Sequence, residues 1–472
     1  MRRAPLLLVA CLAAVACGGA AASGERVTAK PHDWPMFGYT PSRPNAAPAS
    51  GITAANVGRL RRQAVTLDGT VDSSPIYLHD VRVGGKVRDA FFVTTTYGKT
   101  EAIDAASGKV VWRFTPGSYS ALAGTARITN TTPVADPSRK WIYAASPDGY
   151  IQKLSVRTGR ASWRVSITQL PEREKLASAL NFANGRLIAT TGGYIGDAPP
   201  YQGHVAIVDP AGGKVLQVWN SLCSDRRGLI APASCSTTMS AIWGRSGAVV
   251  DPASGDLLVA TGNGRFDGKT NWGDSLIRLS GDANQVKGTW TPPNYAELER
   301  GDVDLGSTSP VVLGGGFFAQ GGKDGKVRLL TAKSMSPVGH TGGEVQTIPT
   351  PGGTDLFTAP AVWHAGKDAW LFLADNAGLA GWRLKSGRLV KVWENTRAST
   401  SPVLAGGLLY AFDPLGTGLH VYAPGSGREI AVLPAGEGHW NSPIAVDGRI
   451  ALPEGTANAH STSGVLNIYR LR

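Results

Sequence analysis

A hydroxyl-rich triplet ending in proline recurs along this chain: Ser73-Ser74-Pro75, Thr131-Thr132-Pro133, Thr308-Ser309-Pro310, Thr358-Ala359-Pro360, Thr400-Ser401-Pro402 and Asn441-Ser442-Pro443. Two degenerate copies, Ser178-Ala179-Leu180 and Ser240-Ala241-Ile242, fill the long gap between the second and third. Eight units result, on average about 53 residues apart, close to the ~40–50 residues of propeller blades. A fixed period of that length constrains the fold more than any local propensity, because one such unit cannot bury its own apolar face and must stack on its neighbours.

Each unit continues with short β-branched and aromatic runs such as Phe91-Phe92-Val93, Trp141-Ile142-Tyr143 and Trp370-Leu371-Phe372. A second signature follows, fullest as Ala102-Ile103-Asp104-Ala105-Ala106-Ser107-Gly108-Lys109-Val110-Val111-Trp112 and repeated around Gly159, Gly213, Gly387 and Gly427. Proline lacks a donor and suits the first residue of a strand, so the triplet marks an inner strand. Glycine before Lys or Arg supplies the positive φ of a hairpin, and the Asp four residues earlier bonds its own turn. The last unit has no Gly-Lys-Trp strand after Gly464 to Leu471, and the segment Val57 to Leu67 before the first triplet can supply one. The expectation is an all-β, eight-bladed propeller of four-stranded antiparallel blades, its ring closed by an N-terminal strand pairing with the C-terminal blade. Seven blades with an insertion is the structural alternative.

Composition agrees. Sixty glycines, thirteen tryptophans and only 17% charged residues exclude a helical bundle and a disordered chain. The formal charge of +12 is scattered singly, which argues against a nucleic-acid face and fits attraction to an anionic cell surface.

Met1-Arg2-Arg3 followed by the apolar run Ala4 to Ala16 reads as a secretory signal over residues 1–17, too short to span a bilayer. Two readings stay open for Cys17: lipidation as in a bacterial lipoprotein signal, or simple cleavage nearby. Residues 18–33 read as a flexible linker and 34–472 as a single propeller, placing the protein outside the cytoplasm, in the periplasm or at the cell surface. In that oxidising setting Cys223 and Cys235 are expected to pair, with two free thiols as the alternative. No CxxCH haem site, HExxH, GxSxG or P-loop spacing occurs.

The opening Asp33-Trp34-Pro35-Met36-Phe37-Gly38, the following Gly51-Ile52-Thr53 with Asn56-Val57 and Leu60, and the A-x-D-x-x-x-G-K-x-x-W repeat together resemble the pyrroloquinoline quinone (PQQ) propeller repeat family over nearly all of residues 33–472. That family holds PQQ-dependent alcohol dehydrogenases and a non-catalytic lipoprotein of outer-membrane β-barrel assembly. The resemblance therefore implies the fold and leaves two functions open. The first is an exported dehydrogenase that oxidises an alcohol or polyol with PQQ and Ca²⁺ and passes electrons to a separate acceptor. The second is a scaffold, anchored through Cys17 where that residue is lipidated, that binds protein partners at the cell envelope.

Carried over by position, the resemblance implies Asn263 in Ala260-Thr261-Gly262-Asn263-Gly264 as an amide-oxygen metal ligand. It implies Asp304 as catalytic base and metal ligand, Trp243 as the floor beneath PQQ, and Lys323 as the cation that reaches the quinone. The family's metal-ligating Glu has no counterpart in Gly192 to Pro200, where Asp197 is the nearby carboxylate and the third candidate ligand. The adjacent-cysteine pair of many members is absent. Without the resemblance, Asn263 suits a left-handed turn, Lys323-Asp324-Gly325 a hairpin, Asp302 and Asp304 a solvated approach to a strand, and Trp243 ordinary packing between blades. As a site, Asn263, Asp304 and Asp197 would offer a hard cation its oxygen ligands.

Overall fold

The structure, a computed structural model, describes residues 32–194, 196 and 198–471, so that the signal segment, Cys17 and Asp197 lie outside the described residues. Eight four-stranded antiparallel sheets follow one another along the chain. Blades one to three begin with inner strands at Ile76–Val83, Val134–Ala135 and Asn181–Ala183. Those of blades four to eight are Val249–Val250, Val311–Gly314, Ala361–Ala365, Val403–Ala405 and Ile444–Val446. The eighth blade is completed by Arg61–Leu67, which pairs antiparallel with Gly464–Arg470 through all seven residues, from Arg61 opposite Arg470 to Leu67 opposite Gly464. That is the closure expected of Val57 to Leu67, and it leaves neither end of the ring with an open edge.

The repeated tryptophan docks on the next blade. Trp112 Nε1 donates to Val156 O at 2.9 Å, and a Cβ placed on Gly159 would meet the Trp112 ring at 2.5 Å. Trp163 stands over Gly213 in the same way, and Trp393 over Gly427. The hairpin glycine thus serves two needs at once: a positive φ, 70° at Gly159, and a bare surface for a neighbouring indole. Hydrophobic clusters accordingly cross blade boundaries, as where Tyr143 and Ile151 of blade two pack with Leu187 and Val208 of blade three.

One triplet sits elsewhere than expected. Ser240-Ala241-Ile242 does not begin the fourth inner strand, which starts at Val249. Ser246 N donates to Ser309 Oγ as Ser74 N donates to Thr132 Oγ1 and Ala359 N to Ser401 Oγ. The true fourth unit is therefore Arg245-Ser246-Gly247, with neither hydroxyl nor proline at the outer positions, and that is why the motif hides there.

The segment from Trp34 to Ser50 forms a strap across one end of the ring, touching one blade after another. Trp34 bridges to Tyr77, Pro35 O accepts from Ala135 N, Pro41 O from Val250 N, Pro44 O from Val362 N and Ser50 O from Gly448 N. Ala46–Ala47 runs parallel to Val403–Ala405. At its centre Phe37 is buried with Ala179 of the third triplet and Ala359 of the sixth, on opposite sides of the axis. Arg43, also fully buried, donates to Phe37 O and to Leu180 O. The strap blocks the axial channel, so that the other end is a blind pocket. Cys223 and Cys235 form a disulfide on the loop after blade three.

Candidate functional site

The pocket at the open end of the axis has a volume of about 830 Å³ and is lined by Trp243, Asn263, Asp304 and Lys323, each supplied by a different loop. The structure brings these four to one pocket. Gly262 makes the meeting feasible: a Cβ there would lie 2.1 Å from Asp304 Oδ1, the same oxygen that accepts Asn263 N at 2.7 Å. Asp304 Oδ2 lies 2.6 Å from Lys323 Nζ, and Lys323 stands 5.8 Å from the Trp243 ring centroid. Asn263 Nδ2 donates to Asp302 Oδ1 at 2.8 Å, whereas Asn263 Oδ1 is buried with no hydrogen-bond partner. Asn263 does not adopt the left-handed conformation that a bare turn residue would use.

Charge in the pocket is shaped by burial. Burial alone would lower the Lys323 ammonium, but Asp304 and Asp302 hold it above lysine's ordinary value. Behind them Asp274 is buried, bonded by Leu305 N and repelled by Asp304 and Glu299; desolvation leads in pushing its carboxyl well above the usual range. Asp72 shows the opposite balance. Burial would raise it, yet bonds from His439 and Ala457 N, with the nearby Arg245 charge, hold it below the ordinary value.

Sequence reasoning missed several residues that line the same pocket. Lys175, on a short strand paired with Gly192–Gly193, is pushed down to about 8 by burial. Arg245 is buried, donates to Trp440 O at 3.2 Å and lies 5.2 Å from the Trp440 ring. Trp440 stacks on His439 with centroids 4.6 Å apart, and its ring lies 6.0 Å from that of Trp243, beside Phe357. A signal existed for Trp440 and Phe357 alone: the residue just before a triplet faces the axis, as Asn130, Ala177 and Ser399 also do. Arg245 was masked by the misplaced fourth triplet.

Does this set suit a quinone cofactor and its ion? The buried Asn263 Oδ1 lacks a partner and stands beside Asp302 and Asp304, a donor set of hard oxygens that fits a Ca²⁺-like ion. Aromatic walls and the cations Lys175, Arg245 and Lys323 fit a flat polyanion. The residues present fit both groups.

Residues 70–266 match the PQQ-repeat family model whose description reads outer membrane protein assembly factor BamB. That stretch covers less than half of the chain. Among curated relatives, the dehydrogenase subunit of the quinone-type alcohol dehydrogenase of Gluconobacter oxydans is 24% identical over 282 residues, covering 52% of this chain and 35% of that protein. The polyvinylalcohol dehydrogenase of a Pseudomonas species is 23% identical over 358 residues, covering 66% of this chain and 53% of the relative. The matched part of this propeller thus spans between a third and just over half of those relatives. The solved europium-containing methanol dehydrogenase superposes with a TM-score of 0.69 at 14% identity, covering 94% of this chain and 99% of its own, a likeness of fold.

Proposed function

We propose that this propeller is an exported quinoprotein dehydrogenase that oxidises an alcohol or polyol in the axial pocket and delivers electrons to a separate acceptor. The observation that carries the reading is the convergence of Asn263, with its buried and unpartnered Oδ1, on Asp304, Lys323 and Trp243. Asn263 and Asp304 would hold a hard cation, and Trp243 with its aromatic neighbours would seat PQQ. When bound, PQQ supplies the two-electron acceptor and the cation a Lewis acid. Asp304 is the carboxylate placed to take the proton of the alcohol, and Lys323, a firm cation, offsets negative charge that develops beside it. The strap excludes solvent from the far end of the axis.

Calorimetric titration with PQQ and Ca²⁺, followed by dye-linked alcohol oxidation, tests the proposal. Asp304→Ala is expected to lower the rate by about 10²–10⁴ while leaving PQQ bound, the range of a lost general base. Asn263→Ala is expected to weaken Ca²⁺ retention. Absence of PQQ binding, or binding and turnover indifferent to both substitutions, would overturn it. That result would leave the second reading, favoured by the description of the matching family model: a non-catalytic scaffold, anchored through Cys17 where that residue is lipidated, that would dock envelope proteins on its blade faces.

A further inference from the structure

At the strap end of the ring, opposite the axial pocket, His79, Asp89 and Asp447 bring ligand atoms within 4.8 Å of one another. His79 lies on the first inner strand, Asp89 on its partner Lys86–Thr94, and Asp447 in the turn between Ile444–Val446 and Arg449–Glu454. The cluster therefore straddles the seam between the first and last blades. His79 Nδ1 is 3.0 Å from Asp89 Oδ1 and 3.0 Å from Asp447 Oδ2. His32, just ahead of the strap, places its Nδ1 3.2 Å from the remaining Asp447 oxygen, with its ring 5.2 Å from that of His79.

Hydrogen bonding accounts for only part of this arrangement. One imidazole nitrogen offers at most one proton, yet His79 Nδ1 faces two carboxylates at equal distance, and only the Asp447 contact has hydrogen-bond geometry. A tetrahedral ion with nitrogen and oxygen ligands at ~2.0–2.1 Å sets its ligand atoms roughly 3.3 Å apart, close to the 3.0 Å between His79 Nδ1 and each of the two carboxylates. Arg449 and Tyr77 hold the carboxylates from outside: Arg449 reaches Asp89 Oδ2 at 3.2 Å and Asp447 Oδ2 at 3.3 Å, and Tyr77 OH donates to Asp447 Oδ2 at 2.8 Å. Such outer bonds are what orients a ligating carboxylate. The Arg449 charge also offsets one of the two carboxylates, which points to moderate affinity.

We propose that His79, Asp89 and Asp447 bind a divalent transition metal of the Zn²⁺ or Co²⁺ class at the ring's seam, with His32 beside Asp447 supporting the site from outside. An imidazole with two carboxylates and an open position for water suits these ions, whereas an all-oxygen axial site suits Ca²⁺. The site is independent of the dehydrogenase reading. Because His79 and Asp89 of the first blade lie far in sequence from Asp447 of the last, the metal closes a long loop and stabilises the folded chain by mass action.

The test is equilibrium dialysis of EDTA-stripped full-length protein against Zn²⁺ in excess Ca²⁺, with metal analysis, and a parallel Co²⁺ titration read by its visible spectrum. The wild type is expected to take up one Zn²⁺ that raises its Tm and to give a tetrahedral Co²⁺ spectrum. His79→Ala should weaken binding more than about 100-fold and His32→Ala about 10-fold, while Asn263→Ala in the axial pocket leaves it unchanged. His32 is 59% exposed, so its variant reports on the site even where His79→Ala folds poorly. Failure to bind either ion, or Zn²⁺ affinity and Tm unaltered by both histidine substitutions, would overturn the proposal.

Discussion

Lys175 shows most plainly how a single residue links stability to the chemistry of the pocket. It is buried, and burial lowers its ammonium from 10.5 to about 8. A lowered lysine means that the unfolded chain binds the proton more tightly. The resulting cost to folding is fully present below about pH 8 and fades as pH rises from there through 10.5. Lys175→Met is therefore expected to stabilise the protein by roughly 1–3 kcal/mol at pH 7 and by little above pH 10, measured as denaturant midpoints at the two values. A polyanion in the pocket reverses the balance, so PQQ binding at pH 9 should take up a proton. Calorimetry in buffers of different ionisation enthalpy reads this, and the uptake should vanish in the variant. None of it was legible from sequence, because Lys175 belongs to no repeat signature. Asn263, Asp304, Lys323 and Trp243 were legible through resemblance alone, since their bland roles as turn or packing residues fit the local sequence equally well.

Among the elements, the hairpin before each outer strand was the most readable, and its glycine carries more than the turn. Gly159 and Gly185 have nearly equal backbone angles, φ 70° and 68°. Only Gly159 has an indole against it, for a Cβ on Gly185 would meet nothing within 4 Å. Gly185→Ala should cost about 1 kcal/mol, the left-handed strain alone. Gly159→Ala should cost about 2–4 kcal/mol, because Trp112 must also move. Thermal unfolding of the two variants separates turn strain from blade docking, and equal losses would show that the Trp112 contact adds nothing. The fourth blade marks the limit of the motif's reach: a triplet is recognised by hydroxyl and proline, but Arg245-Ser246-Gly247 holds its place with backbone bonds and a glycine at φ 63° whose Cβ would lie 2.8 Å from Ala179 O. The strap's path was not legible either: its opening residues read only as a family motif, and much of what ties it to the blades passes through the backbone carbonyls of Pro35, Pro41 and Pro44.

For the whole molecule, closure is the property on which both the axial pocket and the seam cluster depend. Arg61–Leu67 contributes a seven-residue ladder to the last blade, and Val65 and Leu67 enter the cluster that joins blades seven, eight and one. The seam lacks the docking tryptophan that Trp112, Trp163 and Trp393 supply at three other boundaries; Gln63 Nε2 instead donates to Ser107 O at 2.7 Å, and Gln63 and Val65 approach Gly108. The ladder must therefore hold the ring where indole packing does not. Two deletions distinguish its contribution from that of the strap. Removing residues 32–56 takes away Phe37 and Arg43 and opens the channel but leaves the ladder, so unfolding should stay cooperative at a lower Tm. Removing residues 32–68 takes the ladder too and exposes Gly464–Arg470 as a free edge, so the ring should open. Small-angle scattering would then show a larger radius of gyration, and heating would give a broad, aggregation-prone transition. Cooperative unfolding of the longer deletion at the Tm of the shorter would mean that the blades close without the N-terminal strand, which the seven-residue register argues against.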